Sequence, residues 1–197
     1  IAGISEPILS LTDAAIVGHM PIHATESLAA VGVVTAFLSM LIWVLGQSRS
    51  AISSIISQYV GANKLEEVKN LPAQAIAIVL GISFVVCCLT YPFSNAIFKL
   101  YNASGLLLDY SVSYYKIRVL GLPFTLYIFA IFGVFRGLQN TYYPMLIAIT
   151  GALVNIVLDF ALVYGIKDVF LPLNLKGAAI ASVLSQLLMA LLATYFI

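Results

Sequence analysis

Six long apolar segments dominate this sequence and restrict it to a fold that lies in a membrane. A helix that spans a membrane needs about 20 mostly apolar residues, and its backbone groups must hydrogen-bond within their own segment. The breaks between the segments are polar or turn-forming, as in "GANKLEEVKN" and "RGLQNTYYP". The sequence therefore predicts an all-α, polytopic membrane protein with six transmembrane helices. They cover residues 1–19, 28–60, 71–98, 111–135, 143–165 and 177–197.

The composition supports a lipid environment and excludes several classes of partner. Of the 197 residues, 62% are hydrophobic and 9% are charged, whereas about 25% are charged in a soluble domain. A net charge of +1 provides no basic surface for nucleic acid. The adjacent Cys87 and Cys88 have no metal-ligand or disulfide spacing, which favours a packing role. Because the sequence starts and stops inside apolar segments, we expect it to be part of a longer membrane protein.

Two aspartates lie inside predicted spans, where a charged side chain costs about 2.5–3.5 kcal/mol at the centre of a helix. Asp159 precedes Gly165 by six residues, and no basic residue lies within one helical turn of it. Asp13 precedes His19 by six residues, which places it about 9 Å inside the end of its helix. Such residues usually face the interior of the helix bundle. We therefore predict a functional role for both acids.

Asn155 and Asp159 are four residues apart and share one face of the fifth helix, with Gly151 one turn earlier. This arrangement places an amide oxygen and a carboxylate beside a small residue that allows another helix to approach. A hard cation such as Na⁺ prefers these oxygens. A proton is taken up by a carboxylate that is removed from water or faces a second carboxylate. Asn155 alone would be explained equally well by an interhelical hydrogen bond.

Further polar residues lie near the start of the chain and in the fourth segment. Glu6, Ser10 and Asp13 form a polar stripe on the first helix, which suits a water-filled cavity, although Glu6 could instead lie at the membrane surface. Lys116 and Arg118 follow two tyrosines in "YYKIRVLGLP" and are interpreted as interfacial anchors. No phosphate-binding loop, metal-spaced histidine pair or nucleophile elbow is present, so we predict neither enzymatic activity nor a cofactor.

Several segments, taken in order, resemble the multidrug and toxic compound extrusion (MATE) transporters, in particular the DinF-like branch. Each motif is weak by itself, but their order and spacing cover nearly the whole chain. The matching motifs are "SLTDAAIVGH", "SLAAVG", "SQYVGANKLEE", "YYKIRVLGLP", "FRGLQNTYYP", "NIVLDFALVYG" and "KGAAIASVLS".

The resemblance implies a fold and an activity. Family members have twelve transmembrane helices in two six-helix lobes, and this chain resembles the N-terminal lobe, with the C-terminal lobe missing. They export organic cations or amphipathic drug-like compounds from the plasma (inner) membrane by alternating access, in antiport with H⁺ or Na⁺. The expected partners are thus a small-molecule substrate, the lipid bilayer and the second lobe. The resemblance also places the N-terminus, "GANKLEEVKN" and "RGLQNTYYP" in the cytoplasm.

The resemblance also implies a cation-coupling site. The family uses the aspartate of the first helix, here Asp13, and the Asn-x-x-x-Asp of the fifth helix, here Asn155 and Asp159. It also uses a hydroxyl of the sixth helix, often threonine, and Ser182 keeps that oxygen. Where the family often has a polar amide, this sequence has Glu6, which leaves the choice between H⁺ and Na⁺ open.

Three other classes of protein agree less well with the sequence. An intramembrane aspartyl protease carries Tyr-Asp and Gly-x-Gly-Asp, whereas the two acids here lie in "LTDAA" and "VLDFA". A lipid-linked precursor flippase of the same wider superfamily lines its cavity with several basic residues, which here are expected mostly at the span edges. A purely structural helix bundle would give no reason for Asp13, Asn155 and Asp159 to occur together.

Overall fold

The computed structural model describes residues 5–20, 23–165 and 171–197, and within residues 5–11 only the backbone. Every regular element in these ranges is a helix, which confirms the all-α prediction. Two short 3-10 turns, Leu65–Val68 and Val119–Gly121, accompany the α-helices. The α-helices are α1 (Ser5–Gly18), α2 (Ala24–Leu45), α3 (Ser48–Gly61), α4 (Leu71–Thr90), α5 (Ser94–Leu100), α6 (Gly105–Arg118), α7 (Leu122–Gly137), α8 (Tyr142–Tyr164) and α9 (Asn174–Phe196).

Helical runs among the described residues are long and apolar enough to cross a membrane. The part of α1 that the structure describes has 14 residues, which is shorter than a full span. Large apolar side chains such as Trp43, Phe84 and Val157 are 70%, 67% and 67% exposed, as expected for surfaces that face lipid. The runs that qualify are Ala24–Gly61, Leu65–Thr90, Gly105–Gly137, Tyr142–Tyr164 and Asn174–Phe196.

The predicted helix over residues 28–60 is interrupted. The structure has a junction at Gly46 and Gln47, between α2 and α3. A Cβ atom on Gly46 would lie 2.5 Å from the Ile42 carbonyl oxygen and 2.8 Å from the ring of Phe129. A side chain at this position would therefore require both the end of α2 and the ring of Phe129 on α7 to shift.

Proline explains two further differences from the predicted helices. The third predicted helix, 71–98, is interrupted between α4 and α5 around Pro92, whose missing N–H breaks the helical hydrogen-bond series. The fourth, predicted to start at residue 111, starts at Gly105 and has a 3-10 turn just before Pro123. Pro123 is the second residue of α7, where a missing backbone N–H costs nothing.

The core consists of apolar side chains between α2, α6 and α7 and the helices packed on them. Phe37, Phe98 and Tyr115 form one aromatic cluster, with ring centroids 5.3–6.1 Å apart. The thiol of Cys87 donates a hydrogen bond to the Val119 carbonyl oxygen, in agreement with a packing role, whereas Cys88 is exposed. These contacts fix α6 against α2 and α4, and thereby fix the position of the residues on α6.

Two glycines on α7, Gly133 and Gly137, allow α3 to approach closely. A Cβ atom on Gly133 would lie 2.7 Å from the Arg49 carbonyl oxygen, and one on Gly137 would lie 2.6 Å from Ile56 Cβ. Small residues four apart are a common way to bring two membrane helices together. The α3–α7 contact therefore depends on the absence of side chains at both positions.

We expect Gly133→Leu to destabilise the protein by about 1–3 kcal/mol, the usual cost of overpacking, because the new side chain would meet the backbone of α3. The measurement is the thermal midpoint of the detergent-purified full-length protein. The matched control is Gly81→Leu on α4, where a Cβ atom would meet nothing within 4 Å. An equal loss of stability in both variants would contradict the role assigned to the close approach.

Candidate cation site

Three helices bring the predicted site residues to one end of the bundle. Asp13 lies on α1, Asn155 and Asp159 lie on α8, and Ser182 lies on α9. All four side chains are more than nine-tenths buried. The Ser182 hydroxyl donates a hydrogen bond to Asp13 Oδ2 at 3.3 Å, and the carboxyl of Asp159 interacts directly with that of Asp13. Asn155 lies one turn before Asp159 on the face of α8 that is buried.

Several polar atoms of this site have no suitable protein partner. Asp13 Oδ1, both carboxylate oxygens of Asp159 and both amide atoms of Asn155 are buried and make no hydrogen bond of good geometry with a described residue. Buried polar groups are normally hydrogen-bonded, and each unsatisfied group costs about 1–3 kcal/mol. The oxygens among them are the ligand type that a hard cation takes. The arrangement is therefore suited to bind a proton or a small cation.

Ser182 has two possible acceptors for one proton. Its hydroxyl is 3.3 Å from Asp13 Oδ2 and 3.1 Å from the Ala178 carbonyl oxygen in the preceding turn of α9. A serine hydroxyl can donate only one hydrogen bond at a time. The bond between α1 and α9 thus competes with a bond inside α9.

α1 is also tied to α8 near the same end of the bundle. The Tyr164 hydroxyl donates a hydrogen bond of 2.9 Å to the Ile16 carbonyl oxygen. Tyr164 is the last residue of α8, and Ile16 lies in the last turn of α1. This contact keeps the ends of the two helices together just beyond their acidic residues.

The structure adds Tyr114 and Arg118 on α6 to this site, and sequence reasoning missed both. Tyr114 interacts electrostatically with Asp13, Asp159 and Arg118, and its side chain is 1% exposed. Arg118 interacts electrostatically with Asp159 as well. The sequence feature that could have revealed them is their spacing of four residues, which places both side chains on one face of α6.

Arg118 lies farther along its helix than the predicted span implied, and its role as an interfacial anchor stays a prediction. The fourth span was predicted to start at residue 111, whereas α6 starts at Gly105. The additional six residues place Arg118 about 20 Å along the helix instead of about 10 Å. Lys116 instead reaches Tyr91, at the end of α4, with its Nζ atom 5.6 Å from the ring centroid.

Two further predicted site residues, Glu6 and Ser10, belong to α1. Their side chains are outside the described part of the structure, so their place in a cavity stays a prediction. Within the described residues, no group of three His, Cys, Asp or Glu side chains could hold a metal ion. The described site offers two carboxylates, an amide and hydroxyls.

The chain is similar in sequence to known membrane proteins. It matches the family model MatE over residues 1–161. It is 29% identical over 186 residues to DNA damage-inducible protein F of Escherichia coli, which covers 94% of this chain and 39% of that protein. It is 25% identical over 193 residues to the probable multidrug resistance protein NorM of Thermotoga maritima, with 96% and 40% covered. The chain thus spans about two-fifths of the length of these relatives.

Solved structures show the same fold. A MOP superfamily transporter from Pyrococcus furiosus superimposes with a TM-score of 0.88 at 23% identity, covering 99% of this chain and 41% of that one. A MATE protein crystallised in a bent conformation superimposes with a TM-score of 0.88 at 24% identity. The match covers 98% of this chain and 41% of that one. Since the matching family model covers more than half of its residues, this chain belongs to the MatE family, whose members are membrane transporters and not enzymes.

Proposed function

We propose that this chain is the N-terminal, cation-coupling lobe of a multidrug exporter of the plasma membrane, which uses an inward flow of H⁺ or Na⁺ to expel organic cations or amphipathic compounds. The observation that supports it is the buried cluster of Asp13, Asp159, Asn155 and Ser182, whose oxygens lack sufficient protein partners. Two relatives from different bacteria carry names that describe multidrug resistance, NorM and MdtK. A second lobe would complete the transporter, since the chain spans about two-fifths of its relatives.

Charge explains why such a cluster would couple transport to a cation. Two carboxylates that face each other away from water repel when both are ionised, so the site attracts a proton or Na⁺. Coupling also requires that the cation bind one conformation more tightly than the other. In this proposal, the cation favours the conformation that α1 adopts once its contact with α9 has been weakened.

The contacts of α1 suggest how binding would change the conformation. Hydrogen bonds to a charged carboxylate are stronger than those between neutral groups, so neutralising Asp13 would weaken its bond from the Ser182 hydroxyl. That bond is one of the polar contacts between α1 and α9. Loading the site would therefore allow α1 to move relative to α8 and α9, reshape the lobe and release the drug.

We also propose that the N-terminus and the segments 61–70 and 136–142 face the cytoplasm.

The test is transport by the full-length protein in proteoliposomes, with the pH gradient and the Na⁺ gradient imposed separately. Ethidium, an organic cation whose fluorescence reports its movement, is the substrate. We expect one of the two gradients to drive ethidium flux, and its dissipation by an ionophore to stop that flux. Ethidium movement at the rate of protein-free vesicles under both gradients would contradict the proposal.

A further inference from the structure

A basic side chain in a site that attracts cations requires an explanation. Arg118 lies in the helical run Gly105–Gly137, which has 33 residues. It is 13 residues from the first and 19 from the last, or about 20 and 28 Å of helix. Arginine within a membrane span is rare because of its cost, and it normally pairs with an acidic group. Arg118 therefore lies well inside this helical run.

The acidic group that interacts electrostatically with Arg118 is Asp159, the partner of Asp13. The Nε atom of Arg118 is buried and makes no hydrogen bond of good geometry with a described residue. Arg118 lines a small cleft in which the other side chains are uncharged. Tyr114 on α6 and Asp159 on α8 interact electrostatically with Arg118, and Asp13 on α1 interacts with both of these residues. The uncharged residues of the cleft are Leu38 and Ile42 of α2, Leu122 and Thr125 of α7 and Gln186 of α9.

The three charged groups determine how many cations the site can hold. Asp13 and Asp159, when ionised, contribute a charge of −2, and the guanidinium of Arg118, which stays protonated in proteins, contributes +1. The sum is −1, so one H⁺ or one Na⁺ makes the site neutral. Without Arg118 the sum would be −2, and one bound cation would leave a buried negative charge that attracts a second.

We propose that Arg118 is a built-in counter-charge that limits the site to one monovalent cation and keeps that cation loosely enough bound to be released. The inference rests on the proposed function and adds a positioning residue to it. Arg118 acts through the field at Asp159, without contacting the transported cation. A second consequence is that the site resists divalent cations, which would leave it with a net charge of +1.

The experiment measures the concentration of the driving cation that gives half-maximal ethidium flux in proteoliposomes of the full-length protein. We expect Arg118→Gln to lower this concentration about tenfold or more, because a repulsion worth about 1.4 kcal/mol is removed and charges a few ångströms apart in a partly buried site interact by at least that much. Maximal flux should fall in the same variant, since a tighter cation leaves more slowly. Arg118→Met, which is neutral and can pack against Leu38, Ile42 and Leu122 of the cleft, should behave like Arg118→Gln.

One conservative variant and one control variant separate charge from packing. Arg118→Lys retains the positive charge and should keep the half-maximal concentration within about threefold of the unmodified protein. Lys116→Gln removes a positive charge that lies against Tyr91, and it should have no effect. A loss of packing would weaken cation binding in Arg118→Gln, so the sign of the change discriminates between the two explanations.

The outcomes also separate this inference from the proposed function. If the unmodified protein shows flux under neither gradient, both are wrong. If it shows cation-driven flux and the two neutral variants need the same or a higher cation concentration, only the counter-charge is excluded. An equally large effect of Lys116→Gln would also exclude it, because the effect would then come from the surface charge of the protein.

Discussion

Asp159→Asn is expected to abolish cation-driven drug export while leaving the protein folded. A carboxylate attracts a cation 4 Å away by about 4 kcal/mol at an effective dielectric constant of about 20, which corresponds to about three orders of magnitude in affinity. Asparagine has nearly the same shape but no charge. Ethidium flux in proteoliposomes should therefore fall to the level of protein-free vesicles under either gradient.

Stability should change in the opposite direction from activity. Asp159 is fully buried, and neither of its oxygens makes a hydrogen bond of good geometry with a described residue, so neutralising it removes the cost of a buried charge. The thermal midpoint of Asp159→Asn should equal or exceed that of the unmodified protein. A lower midpoint together with the loss of flux would indicate that Asp159 serves the fold.

Asp109→Asn is the matched control, because it is the same substitution at an exposed position of α6. It should leave both flux and thermal midpoint unchanged. If Asp159→Asn retained cation-driven flux at the level of this control, the proposed coupling site would be wrong.

Gly177→Ala is expected to impair the site through the backbone. A Cβ atom on Gly177 would lie 2.5 Å from the Leu162 carbonyl oxygen and 2.9 Å from the Val163 nitrogen. Backbone atoms cannot avoid the contact by changing rotamer, so α9 would have to move away from α8. Ser182 follows five residues later, about 7.5 Å along the helix, and its hydroxyl would move with α9. We expect a loss of about 1–3 kcal/mol in stability and a higher cation concentration for half-maximal flux.

Gly151→Ala tests whether the loss of stability and flux depends on the added Cβ atom meeting backbone atoms rather than a side chain. It affects the same pair of helices, but the added Cβ atom would meet the side chain of Met189. Methionine is flexible and can adopt another rotamer, so the effect on thermal midpoint and flux should be clearly smaller. If both alanine variants were equally impaired, the rigid contact at Leu162 would not be the cause.

The sequence was sufficient to identify the membrane fold and the acidic residues of the candidate site. Long apolar segments can satisfy their backbone in lipid only as helices, which the structure confirms. Asp13 and Asp159 were recognised because a charge in lipid is costly, and the structure brings them together with Ser182. Asn155 was recognised because it is one turn away from Asp159. The function of this cluster stays a proposal.

Arg118 and Tyr114 show where sequence reasoning failed. Their role depends on the point at which α6 begins, and residues 105–110 include the polar pair Asp109 and Tyr110, which hid the first turns of the helix. Hydropathy therefore placed the start of the span six residues too late. It also could not locate the junction at Gly46, because the close approach of Phe129 from a distant helix at this point is not visible in the local sequence.

The hydrogen bond from the Tyr164 hydroxyl to the Ile16 carbonyl oxygen has a geometric consequence for any motion of α1. A rod held near one end swings about that end, so the acid close to the pivot is displaced little while the opposite tip travels farthest. Ser5 lies 11 residues before Ile16 in α1, or about 16 Å away, so a tilt of about 10° would carry the tip at Ser5 through nearly 3 Å. A displacement of less than 1 Å at the carboxylate of Asp13 would therefore correspond to a movement several times larger at the first residues of α1.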